Sequence, residues 1–123
     1  MLGKKLIGYM ETTSEEVYEL LFLIDKTGYL IWSENQNWSW YDNWHIEKVN
    51  LNDYTMNDTY KSIGEKIQKI EILGIENKDG SVESKQNNDD LEYLIKIKTK
   101  TKIIRLGIDW NDCYYPQAIW DVI

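Results

Sequence analysis

The first clear pattern along the chain is "TTSEEVYELLFLIDKTG", Thr12 to Gly28. Thr13 is a candidate N-cap, and Glu16, three residues on, completes a capping box. Glu15, Glu16 and Glu19 suit the positive end of a helix dipole. Val17, Leu20, Leu21 and Ile24 recur at helical spacing and form one apolar face. Gly28, with Lys26 before it, supplies a C-terminal stop. The spacing predicts a helix over 14–26. "YLIW", Tyr29 to Trp32, then reads as a short extended segment. "EKVNLNDYTMNDTYKSIGEK" is polar and Asn-rich, with a turn or short helix expected near Met56 to Ser62.

From Lys66 onward the pattern is β. "KIQKIEILGIEN" switches its apolar phase at Leu73–Gly74, where a bulge would explain the switch and glycine would tolerate it. "NKDG" is a turn signal, and "SVESKQNNDD" a polar loop. "LEYLIKIKTKTK" alternates strictly: Tyr93, Ile95, Ile97, Thr99 and Thr101 on one side, Lys96, Lys98, Lys100 and Lys102 on the other. "IIRLGIDW" places Ile104, Leu106, Ile108 and Trp110 on one face. The two strands predict an antiparallel hairpin turning near Thr99–Lys102. The tail ends in Ile119, Trp120, Val122 and Ile123, placed to dock on the sheet. The expected fold is α+β: one N-terminal amphipathic helix packed on an antiparallel sheet of roughly four or five strands.

At 123 residues the chain fits a single globular domain over 1–123. Its 42% hydrophobic and 28% charged content is globular rather than disordered. No apolar run reaches the roughly 20 residues that span a bilayer. The segment after "MLGKKLIGYM" turns acidic too early for a secretory signal, so a cytoplasmic protein with no membrane partner is expected. One cysteine, Cys113, excludes an internal disulfide and suits a reducing compartment.

The net charge of −7 is unevenly placed. Residues 1–60 hold ten acids and four bases, residues 61–108 eight acids and ten bases, and residues 109–123 three acids and no base. An acidic first half repels phosphate backbones, which argues against direct nucleic-acid binding. It favours and steers a basic partner.

Catalytic chemistry has little to work with. His45 is the only histidine, so a Cys113–His45 pair or a Ser/His/Asp arrangement would need it. The acids Asp109, Asp112 and Asp121, and the pair Asp89–Asp90, have no supporting ligand series for Ca²⁺ or Mg²⁺. The seven glycines stand apart and make no phosphate loop. No enzyme, cofactor or metal is expected. The lysine stripe Lys96 to Lys102 has a functional use, binding an anion or an acidic partner, and a plainer structural one, as the solvated side of a sheet or as protection of a sheet edge.

"NQNWSWYDNWH", Asn35 to His45, is the most distinctive stretch, with three tryptophans, a tyrosine and three asparagines. Three uses fit it. The rings fill the core, or they anchor a protein partner, or they stack on sugar rings while the asparagines bind hydroxyls. On the second, the candidate partner-binding residues are Trp38, Trp40, Tyr41 and Trp44, with Glu34, Asp42 and Glu47 as charged contacts. A second patch comprises Asp109, Asp112, Tyr114 and Tyr115.

The acidic first half, "TTSEEVYELLFLID", "LEYLIKIKTKTKIIRLGIDWND" and the aromatic–acidic loop together give a profile that resembles the small bacterial immunity proteins of toxin–immunity pairs, including those of contact-dependent growth inhibition. The resemblance is to a class, carried by the whole chain and by no single motif. It implies a cytoplasmic, non-enzymatic antitoxin that covers a basic toxin or nuclease domain. Phage-encoded inhibitors of bacterial defence nucleases share the profile, and a carbohydrate-binding module built on the Trp-rich loop is a third possibility.

Overall fold

The computed structural model describes residues 1–12, 19–33, 43–85, 90–110 and 117–123. Among these, 63% lie in strands and 3% in helical geometry. The helical part is one 3-10 turn, Leu51–Asp53. The expected helix on a sheet of four or five strands is therefore replaced by two antiparallel sheets, of seven and four strands.

The strands in chain order are β1 (Lys5–Glu11), β2 (Glu19–Ile24), β3 (Thr27–Ser33), β4 (Asn43–Val49), β5 (Lys61–Lys66), β6 (Lys69–Ile72), β7 (Ile75–Glu76), β8 (Val82–Glu83), β9 (Leu91–Lys98), β10 (Ile103–Asp109) and β11 (Gln117–Val122). The larger sheet has the order β5-β1-β2-β3-β4-β8-β7, and the smaller β11-β10-β9-β6. One apolar cluster fills the space between them. It draws Leu6, Phe22, Ile31 and Trp44 from the first sheet and Ile95, Ile97, Ile104 and Leu106 from the second.

The segment expected to be helical fails as a helix for a specific reason. Leu20, Phe22 and Ile24, spaced by two, enter the core, while Leu21 between them is 1% exposed on the other face. A strand covered on both faces shows a continuous apolar run, which over so short a length mimics a helix face. Asp25 and Lys26 form the two-residue hairpin turn, with Asp25 at φ 52°. Aspartate tolerates that left-handed geometry. Gly28, expected as a helix stop, lies inside β3. Residues 13–18 of the expected helix lie outside the described residues.

The cover on the outer face is the connection over 50–60. It joins β4 to β5, which three strands separate in the sheet. Near its start Leu51 lies against Gly28, where an added Cβ would stand 2.7 Å from Leu51 Cδ2. At its end Tyr60 lies against Gly8, where a Cβ would stand 2.4 Å from the phenol oxygen. Both glycines flank Leu23 in one cross-strand row, so the strap approaches where no side chain obstructs it. Thr59 Oγ1 accepts from the Glu11 N–H at 2.8 Å, and Asn57 Nδ2 donates to the Glu11 carbonyl at 2.8 Å. Met10 and Leu21, adjacent in the next row, are both buried. Each such side chain contributes about 1.5–3 kcal/mol when removed from water. The turn expected near Met56 to Ser62 is present at Asp58–Thr59, where the Tyr60 N–H donates to the Asn57 carbonyl at 3.2 Å, and it ends this strap, which enters β5 at Lys61.

In the second half, the Thr99–Lys102 turn occurs where the alternation predicts it, closed by the Thr99 N–H on the Lys102 carbonyl at 2.9 Å. The register slips at Gly107: Leu106 faces Ile95 while Gly107 faces Tyr93, leaving Leu94 as the extra residue. That bulge moves Tyr93 off the Ile95 face, where strict alternation had put it. Its ring lies under the Arg105 guanidinium at 4.3 Å, on the charged side. The Leu94 carbonyl accepts from the N–H groups of Leu73 (2.8 Å) and Gly74 (3.2 Å). Leu73–Gly74 is thus the crossing of the chain from β6 in one sheet to β7 in the other, rather than the expected bulge within a strand.

A Cβ at Gly107 would stand 2.1 Å from the Glu92 carbonyl oxygen, a backbone atom. Gly107→Ala must therefore push the two strands apart. Urea unfolding is expected to show a loss of about 1–3 kcal/mol, the range for forced overpacking. Gly80→Ala, in a turn with open space around it but φ 87°, is expected to lose only about 1 kcal/mol, from backbone strain.

Candidate functional site

The strand registers bring four connections to one end of the molecule. Glu11 faces Leu20, and Trp32 lies between Glu19 and His45. The 13–18 and 34–42 connections therefore leave side by side. Asn43 faces Glu83, so the chain leaves β8 at the same end. Asp109 faces both Leu91 and Gln117, which places the roots of 86–89 and 111–116 together on the other sheet.

Among the described residues, Trp44 and Glu92 join the sheets at this end. Trp44 is wholly buried, and its Nε1–H donates to the Gly107 carbonyl at 3.0 Å. Glu92, 7% exposed, accepts from the Ser84 hydroxyl (2.6 Å), the Lys85 N–H (2.7 Å) and Trp110 Nε1 (3.2 Å). Three donors on one carboxylate satisfy a buried charge and tie the departing chain of β8 to β9 and to the exit of β10.

This end is acidic. Glu11, Glu19, Glu83, Asp90, Glu92 and Asp109 stand at the roots, with Lys85 as the one lysine among those positions. The four connecting segments add Glu15, Glu16, Glu34, Asp42, Asp89 and Asp112 in sequence, and no Lys or Arg. Beside the roots, on the outer face of the seven-stranded sheet, Trp32 and His45 stack with ring centroids 4.1 Å apart and planes 10° from parallel. The Trp32 indole N–H is buried and has no hydrogen-bond partner among the described residues. Tyr54, from the strap, has its phenol pushed above the usual range by burial and then by the carboxylates of Glu19, Asp53 and Glu47.

The candidate residues divide three ways. Glu34, Trp38, Trp40, Tyr41 and Asp42 lie outside the described residues, as do Asp112, Cys113, Tyr114 and Tyr115. Glu47 is exposed on β4, and Asp109 is half-buried at the end of β10. Trp44 is corrected from anchor to core: fully buried and bonded across the sheets, it presents nothing to a partner. Reading the chain linearly missed Glu11, Glu19, Glu83, Asp90 and Glu92, because only the registers show that they share an end. Among the described residues no group of three or more His, Cys, Asp or Glu is placed to hold a metal, and no helix is long and apolar enough to cross a membrane.

The chain matches no protein-family model, no curated protein and no solved structure.

The lysine stripe is also resolved by register. Across the smaller sheet's outer face runs a row Asp121–Arg105–Lys96–Glu71, one residue per strand. Asp121 receives Arg105 through both Nε (2.7 Å) and Nη2. Glu71 pairs with Lys98 at 2.7 Å and Lys69 at 3.1 Å. The β9–β10 hairpin lies inside the sheet, flanked by β6 and β11, so its lysines protect no edge.

Two outcomes follow. Trp44→Ala is expected to destabilise by about 3–5 kcal/mol through the cavity it leaves. Trp44→Phe, which keeps most of the volume and leaves the Gly107 carbonyl without its donor, should lose roughly 1–3 kcal/mol. Thermal and urea unfolding measure both. The hydrogen bonds from Lys98 and then Lys69 hold the Glu71 carboxyl down at about 2, from an ordinary 4.5. A depressed acid stabilises the fold above its ordinary pKa, so this contribution declines from pH 4.5 downward and is lost as pH falls through about 2. Carbon-detected NMR titration should show Glu71 titrating at that low value, and back toward 4.5 in Lys98→Gln.

Proposed function

We propose that the protein is a non-catalytic, stoichiometric inhibitor that binds a basic protein partner of the toxin or nuclease-domain class through its acidic end. It would act in the cytoplasm, as an immunity protein acts. The observation that carries this reading is the collection of acids from four connections at one end, on two sheets locked by Trp44 and Glu92. A rigid scaffold with charge gathered at one end is suited to steering a cationic surface into a fixed orientation. Trp38, Trp40 and Tyr41 attach between Ser33 and Asn43 at that end. In this reading they supply the aromatic anchors, with Glu34 and Asp42 beside them, and Asp112, Tyr114 and Tyr115 form the neighbouring patch.

The test is capture from the native cell with the tagged protein as bait, at low and high salt. One basic partner at near-equal stoichiometry, weakened by salt, is the expected result. Against that partner, Glu19→Gln and Glu83→Gln should slow association several-fold with little change in dissociation. Trp38→Ala or Trp40→Ala should weaken binding by about 2 kcal/mol and act on dissociation. Capture that is insensitive to salt and to all four substitutions would reject the acidic end as the binding surface.

A further inference from the structure

The end opposite the acidic one gathers lysines from three separate parts of the chain. Lys5 on β1 lies directly opposite Lys66 on β5. The Lys4 carbonyl accepts from the Ile67 N–H at 2.9 Å, and the Gln68 N–H donates to the Lys98 carbonyl at 2.8 Å. Lys69 lies directly opposite Lys98. Lys100 and Lys102 belong to the turn that follows.

Like charges directly opposite on neighbouring strands are destabilising, and this end holds two such pairs. Three carboxylates lie within the cluster, the first being Asp25, exposed beside Lys26 in the β2–β3 turn, with its N–H on the Lys5 carbonyl at 3.1 Å. Glu71 serves Lys69 and Lys98. Glu65 instead accepts from the hydroxyls of Thr99 and Thr101, both at 2.6 Å, and from the Thr101 N–H at 3.1 Å. Lys4, Lys5, Lys66 and Lys100 are exposed and make no ion pair among the described residues. Uncompensated positive charge in a chain of net charge −7 is a local conflict of the kind that accompanies binding surfaces.

Two aliphatic side chains protrude at the same place. Leu2 is 62% exposed and adjoins Gly3, whose N–H donates to the Ile67 carbonyl at 2.9 Å. Ile123 is 57% exposed, and its backbone pairs with Ile103, the residue facing Lys98. None of the exposed large apolar side chains among the described residues is aromatic, which gives nucleic-acid bases nothing to stack on. Lysines surrounding protruding aliphatic groups match the chemistry of an interface of anionic headgroups over acyl chains.

We propose that this end docks on an anionic lipid surface, with the lysines against headgroup phosphates and Leu2 and Ile123 entering the headgroup layer. The same surface repels the acidic end. The molecule is thereby oriented with its acidic end away from the bilayer and open to a protein partner. Attachment is reversible, because two aliphatic side chains give little apolar anchorage and the electrostatic part is screened by salt.

The experiment is co-flotation of the full chain with vesicles of phosphatidylcholine alone and of phosphatidylcholine mixed with phosphatidylserine, at low and high salt. No protein partner is needed, so failure here is distinct from failure of the inhibitor reading. Binding is expected only to the mixed vesicles and only at low salt. Each lysine reversed in Lys66→Glu and Lys100→Glu should reduce partitioning at least about five-fold. Leu2→Ser should reduce it further, and Met56→Ser, an equally exposed apolar side chain in the strap, should leave it unchanged. Circular dichroism confirms that each variant keeps its sheets. Absence of binding, equal binding to neutral vesicles, or full binding by the charge-reversed variants overturns the proposal. So does tighter binding to a single-stranded oligonucleotide than to the mixed vesicles.

Discussion

The hydrogen bond from the Trp44 indole to the Gly107 carbonyl is the contact on which the arrangement turns. It crosses between the sheets at the point where the smaller sheet changes phase. The bulge at Leu94 is what makes the phase change possible, and Gly107 is required because the Glu92 carbonyl occupies the space a Cβ would take. The same bulge leaves the Leu94 carbonyl to accept the chain at Leu73 and Gly74 as it passes to the other sheet. One irregularity thus sets the register of β9 and β10, seats the largest buried ring and directs the chain from sheet to sheet.

The strap over 50–60 is the second constraint. It turns the outer face of the large sheet from a solvated surface into a second buried layer, which is why Met10 and Leu21 are apolar. Gly8 and Gly28 matter through the side chains they lack, since Tyr60 and Leu51 occupy those positions. Among the described residues no segment covers the smaller sheet's outer face in this way. That face carries charges arranged in cross-strand rows, Asp121–Arg105–Lys96–Glu71, in which the outer carboxylates offset the inner cations.

Antiparallel hairpins put alternate connections at alternate ends. In this chain acids dominate one set of connections, and the other set holds Lys26, Lys100 and Lys102, with Asp25 beside Lys26. A net charge of −7 therefore understates the field: the molecule has an acidic end and a basic end. Such polarity orients a protein before contact and lets opposite ends serve different surfaces.

The sequence by itself determined the elements whose information is local. The Thr99–Lys102 turn, the alternation of Ile95, Ile97, Ile104 and Leu106, the "NKDG" turn and the docking of the C-terminal strand were legible because period-two patterning and turn chemistry lie within a few residues of each other. Tertiary structure decided the rest. "ELLFLI" became a strand because the strap covers its second face, and a distant segment's cover leaves no local mark except an apolar run that a helix would share. Tyr93 changed faces because of a bulge whose cause, the approach of Gly107 to Glu92, lies in another strand. Trp44 became core although its neighbours in sequence are polar, because burial depends on what the opposite sheet places above it. The acidic residues were countable from the start, but their shared end was set by strand pairing. Charge is a property of residues, whereas a charged surface is a property of register.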